Sequence, residues 1–160
     1  MRKRAVLMLT VVIALGVAGS AQATLPSGIA VTTFVRAPIS ATGPHQGVRA
    51  SAGHVKLLST VATDVAVQTI TSPPGASSGW HSHPGIVLVA VQSGTVTEYD
   101  MNCHAKQFGP GQAFVEVGDE ATLVRNNTTT SAVLYVTLIV PKSATSLRID
   151  KPQPAGCSAH

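Results

Sequence analysis

The chain has 160 residues, 44% hydrophobic and 11% charged, with a formal charge of +4. That length fits one domain, or at most two very small ones. Ordinary apolar content argues against disorder, and fourteen Gly with ten Pro argue against a helical bundle or coiled coil.

The first segment, MRKRAVLMLTVVIALGVAGSAQA, has a basic start (Arg2, Lys3, Arg4), an apolar run from Ala5 and small residues at Ala21 and Ala23. It is read as a secretory signal peptide over 1–23, cut after Ala23. The competing reading, a membrane anchor, needs about 20 apolar residues, more than this run offers. Removal of the leader lowers Lys+Arg from 11 to 8 against seven acids, so the mature charge is about +1. No basic stripe then remains for nucleic acid, and no amphipathic helix for a membrane surface. The expected location is secreted or periplasmic.

Residues 24–53, rich in Ser, Gly, Ala, Pro and Thr, are expected to form a loosely ordered arm with one strand from Ile29 to Arg36. From Val55 onward, β-branched runs recur: Val55–Ala62, Val65–Thr71, Ile86–Gln92, Thr95–Tyr99, Gln112–Val117, Thr122–Asn126 and Val133–Val140. Gly, Pro or Asx turns separate most of them, which predicts an all-β sandwich or barrel over 54–141. Residues 142–160 form a tail. Cys103 and Cys157 are the only cysteines, and in an exported chain a disulfide between them is expected. It would tie the tail back to the loop before Gly109. The alternative is a thiolate metal ligand at Cys103, beside His104; adjacent residues of an extended chain point opposite ways, which disfavours both facing one ion.

The segment PPGASSGWHSHPGIVLVAVQSG places His81 and His83 two apart. On a strand they share a face, and two neutral imidazoles can converge on one divalent ion; a surface or core-edge pair is the plainer alternative. Trp80 has the opposite parity and is expected to pack on an outer or partner surface. Alternation puts Val87, Val89 and Val91 on one face, and Thr122, Val124 and Asn126 on another. Val87, Val89, Thr122 and Val124 are therefore the candidate pocket lining, mostly apolar, and they serve equally well as plain barrel core. His45, His54 and His160 are expected to be solvated. Asn126 and Asn127 match the N-x-[ST] glycosylation pattern, relevant only in a eukaryotic secretory pathway.

These spacings resemble the cupin superfamily, small barrels of the double-stranded β-helix, or jelly-roll, type. Its first motif, G(X)5HXH(X)3,4E(X)6G, is matched in register by Gly75, His81, His83, Val87 and Gly94, with Val87 in the acid position. Its second, G(X)5PXG(X)2H(X)3N, is followed by Gly111 and Asn126 at the ends, with Val117, Asp119 and Thr122 replacing Pro, Gly and His. The resemblance implies a metal site of three His and one Glu, of which only His81 and His83 survive here. Glu98, Glu116, Glu120, Gln68 and His104 are the residues to consider as an unconventional third ligand, Glu120 being near the missing His.

Three functions follow as expectations. The first is an exported single-domain barrel binding a small, mostly apolar ligand, with a degenerate two-His site weakly occupied by one divalent transition metal (Mn, Fe, Ni, Cu or Zn). The second is a metal-dependent, oxygenase-like enzyme using a third ligand. The third is a non-catalytic homodimer scaffold, in which the strand from Ile29 to Arg36 adds to a neighbour's sheet.

Overall fold

The computed structural model describes residues 22–43 and 46–159. Nearly all of the segment expected to be a signal peptide, together with His45 and His160, lies outside these residues. The described chain forms twelve strands. These are β1 (Ala30–Pro38), β2 (Arg49–Ala52), β3 (Val55–Leu58), β4 (Thr63–Ser72), β5 (His81–Ser82), β6 (Ile86–Ser93), β7 (Val96–Tyr99), β8 (Ala105–Phe108), β9 (Ala113–Val117), β10 (Leu123–Arg125), β11 (Ala132–Pro141) and β12 (Ile149–Asp150).

The pairing is nested. β4 pairs with β11, β6 with β9 and β7 with β8, all antiparallel. His81 of β5 exchanges backbone bonds with Thr122, at the entrance to β10. A long hairpin rolled on itself gives this order, which is the jelly-roll path. One face is a five-stranded sheet in the order β1-β4-β11-β6-β9; the other is built from β10-β7-β8 with β5 joined through Thr122. The fold is therefore the all-β double-stranded β-helix that the two motifs imply.

Alternation explains why the roll closes. Val87, Val89 and Val91 of β6 are buried while Ile86, Leu88 and Ala90 between them are exposed. Leu134, Val136 and Leu138 of β11 and Phe114 of β9 join them, and Val96 and Phe108 meet them from the second face. Phe108 and Phe114 lie with ring centroids 4.6 Å apart. Each such side chain removed from water contributes about 1.5–3 kcal/mol, and a one-residue slip would turn the whole row outward.

In the N-terminal stretch the strand expected from Ile29 to Arg36 is present as β1, and the added order is the hairpin that follows it. β1 pairs with β4 from Ala30 to Pro38, with an irregularity between Thr33 and Val35, and β2 and β3 form a separate hairpin. The Val/Thr alternation of β1 outweighs the turn-rich composition around it. β8 was not expected, because AKQF carries no β-branched residue; pairing with β7 imposes the strand. Cys103 and Cys157 are disulfide-bonded.

Candidate metal centre

β5 is short because its surroundings constrain it. Gly79 has φ +65°, a left-handed conformation that favours glycine, and a Cβ there would lie 2.5 Å from the Thr24 carbonyl oxygen. Beyond this turn the chain alternates. Trp80 points to the outer side, where it is fully buried against Leu123 and Cys157 under the C-terminal tail. His81 and His83 point inward, with ring centroids 4.8 Å apart at 80°.

Both imidazoles are oriented through Nδ1. His81 Nδ1 lies 2.9 Å from the Gly79 carbonyl and 3.4 Å from Ser78 Oγ. His83 Nδ1 lies 2.6 Å from the Leu147 carbonyl. A carbonyl only accepts, so each Nδ1–H donates, which turns each Nε2 to the interior as the atom available to a metal. Carbonyl partners of this kind are what hold ligating histidines in structural metal sites.

The third group is Glu116 of β9. It is buried, and its Oε2 lies 3.0 Å from His83 Nε2. His83 Nε2 nevertheless makes no aligned hydrogen bond, although it is shielded from water. Donor atoms of His81, His83 and Glu116 all fall within 4.8 Å of one another. Two imidazoles at β5 and a carboxylate from β9 on the facing sheet supply the two-His-one-carboxylate set of transition-metal sites. The unaligned Nε2 and the buried carboxylate are what such an ion would satisfy, so the residues present fit a metal.

The register explains the source of this carboxylate. Val87, in the motif's acid position, is the direct cross-strand partner of Glu116. Directly opposed residues project to the same face. The acid absent from β6 is thus replaced from β9, on the same side of the sheet.

The other candidate ligands go elsewhere. Gln68 donates its amide to Thr33 Oγ1 at 2.8 Å. His104 is exposed and pairs with Asp100 at 3.0 Å inside the β7–β8 loop. Glu120 is exposed beyond the end of β9, so proximity in sequence to the missing His does not bring it into the group. Glu98 lines a neighbouring hollow with Asp100, Glu116, Glu120 and Thr122. Burial, reinforced by Glu116, raises its carboxyl pKa to about 6. His54 is exposed.

The triad opens on a cavity of about 50 Å³, lined by Ser72, Ser78, Val89, Phe114, Val124 and Leu134 among others. At roughly 10–15 Å³ per water-sized occupant, it holds a ligand of only a few heavy atoms. Of the four expected lining residues, Val89 and Val124 do line it. Val87 is packed into the core and Thr122 faces the neighbouring hollow. Burial holds His81 neutral, lowering its pKa from 6.5 to about 4; Glu116 opposes the shift, while Arg148 and His83 add to it. Arg148 and the Leu147 carbonyl, both from the tail, carried no sequence signal.

No family model matches the sequence. No curated protein matches it either. Among solved structures, the chain is similar to a Klebsiella pneumoniae protein with a double-stranded β-helix domain (18% identity, TM-score 0.47, covering 54% of this chain and 76% of that one). It is also similar to a cupin 2 conserved barrel domain protein from Leptotrichia buccalis (16%, 0.48, 71% and 41%). A third is an oxalate oxidase in complex with the substrate analogue glycolate (18%, 0.42, 46% and 40%). The chain spans about two-fifths of the length of the last two.

Proposed function

We propose that this chain is an exported barrel that holds one divalent transition-metal ion (Mn, Fe, Ni, Cu or Zn) between His81, His83 and Glu116 and offers it to a small, mostly apolar ligand. The observation that carries this reading is the burial of the Glu116 carboxylate against two imidazoles whose Nδ1 atoms are already engaged. Three protein donors leave coordination positions open towards the cavity, and its Val, Phe and Leu walls favour apolar over charged occupants. A bound ion would supply Lewis acidity, and a redox-active one electron transfer, to whatever occupies those positions. The protein's own contribution is to hold the two Nε2 lone pairs and the carboxylate in place and to exclude bulk water. Export is supported by the basic-apolar leader and by the disulfide. The two-His-one-carboxylate pattern also favours the oxygenase-like alternative, in which the ion is iron.

The test is metal content and calorimetric titration of mature protein with Mn, Fe, Ni, Cu and Zn. One equivalent is expected for wild type, lost in a His81→Ala, His83→Ala double variant and strongly weakened in Glu116→Gln. Binding that survives in Glu116→Gln at full affinity would refute the three-residue site.

A further inference from the structure

The C-terminal tail touches the histidine strand on its backbone, on its outer side and at a ring nitrogen. β12 pairs with β5, Ile149 opposite Ser82 and Asp150 opposite His81. Lys151 N donates to the Trp80 carbonyl at 2.9 Å, and Trp80 Nε1 donates to the Ala159 carbonyl at 3.1 Å. Upstream of β12, the Leu147 carbonyl takes the His83 Nδ1–H. The far end is anchored by Cys157, buried beside Trp80 and Leu123 and bonded to Cys103. The anchor is itself prearranged. Asp100 Oδ1 accepts from the backbone N–H of Asn102 and of His104, Oδ2 lies 3.0 Å from His104 Nδ1, and Cys103 N donates to the Asp100 carbonyl. This gives Asp100 and His104 a role in presenting Cys103.

We infer that the tail is a working part of the metal site: the Cys103–Cys157 bond holds it on β5, and the held tail fixes His83 with Nε2 turned to Glu116, so that strong metal binding requires the disulfide. This rests on the triad reading above. Upstream of β12, Leu147 and Ala144 pack against the main core and Arg36 Nη2 donates to the Ala144 carbonyl at 2.8 Å. β12 is only a two-residue pair, and the cross-link, between cysteines 54 residues apart, is what pins the chain beyond it. Without it β12 is released from β5 while Leu147 keeps its core packing, so the Leu147 carbonyl is held less firmly against His83 Nδ1 and the ring gains freedom to rotate. The bond forms when the two thiols give up two electrons and two protons to a disulfide oxidant, which leaves as two thiols. In a reducing compartment the tail stays unclamped, so the chain takes up its metal after export.

The Cys103→Ser, Cys157→Ser pair tests this better than reduction, because free thiols bind metal themselves. Cobalt(II) is titrated into wild type, the Ser pair and His83→Ala, followed by calorimetry. The ring nitrogens of His83 are followed by NMR in metal-free protein. Wild type is expected to bind one equivalent, with the Ser pair weaker by about 10–100-fold, the usual effect of losing an outer partner of a ligating histidine. The His83 Nδ1–H should be a slowly exchanging, hydrogen-bonded proton in wild type and exchange faster in the Ser pair. Equal cobalt affinity in wild type and the Ser pair, or an equally protected His83 Nδ1–H, overturns the inference. Wild type that binds no cobalt, or binds it equally in His83→Ala, overturns the triad reading, and this inference with it. The large core does not include the cysteines. Should the Ser pair still fail to fold, wild type reduced by a water-soluble phosphine gives the same comparison through the His83 signals.

Discussion

Acidification of the metal-free protein should expose the cost of burying His81. Its pKa is about 4 in the folded protein against 6.5 for a solvated ring, chiefly because burial penalises the charged form. The folded protein therefore binds that proton about 300-fold more weakly than the unfolded chain does, equivalent to about 3 kcal/mol. Between pH 6.5 and 4 the unfolded chain carries the proton and the folded one does not. Stability from this residue is thus complete above pH 6.5, falls as pH falls, and levels off below pH 4, where both states are protonated. Against a total of about 5–15 kcal/mol for an ordinary domain, the loss is large. The assay is urea unfolding of wild type and His81→Asn at half-unit steps from pH 7 to 4. The difference between the two curves should narrow in favour of the variant by about 3 kcal/mol. A difference that does not change with pH would show that His81 titrates normally, and the burial argument would be wrong. Glu98 has the opposite sign. Its raised pKa means that the folded state holds a proton the unfolded chain has lost, so its contribution falls as pH rises through 4.5–6. The Glu98→Gln variant should accordingly show a steeper rise of stability with pH in that window than wild type.

Three substitutions test the scaffold around the site. Asn126 is fully buried; Nδ2 donates to the Ser72 and Thr130 carbonyls, each at 2.7 Å, and Oδ1 accepts from Thr128 N–H and Oγ1. Asn126→Ala leaves these partners unsatisfied and should cost about 3 kcal/mol in denaturant unfolding. Trp80→Ala empties the space between β5 and the tail and should cost about 3–5 kcal/mol, with accelerated proteolysis of 142–159. Gly79→Ala forces a Cβ against the Thr24 and Leu25 backbone at positive φ; the left-handed conformation alone costs roughly 1–2 kcal/mol. It should lower Tm and expose residues 24–27 to protease, and an unchanged Tm would refute the packing described.

The strands and their inward faces were legible along the chain because a period of two is a local property. Val87–Val89–Val91 and Leu134–Val136–Leu138 announce themselves in the residues alone. So do the histidine pair, its glycine-bounded register and the two cysteines. The choice of carboxylate was not legible. Glu98, Glu116 and Glu120 are equivalent as letters, and only the β6–β9 register, which sets Glu116 opposite Val87, selects one. The cavity's small size, the turn of each imidazole and the tail's position on β5 are likewise decided in three dimensions. Each depends on contacts between residues far apart in the chain, such as His83 with the Leu147 carbonyl. Local pattern carries the fold because burial is periodic, whereas the site is made where strands meet, and the order in which they meet is a property of the folded whole.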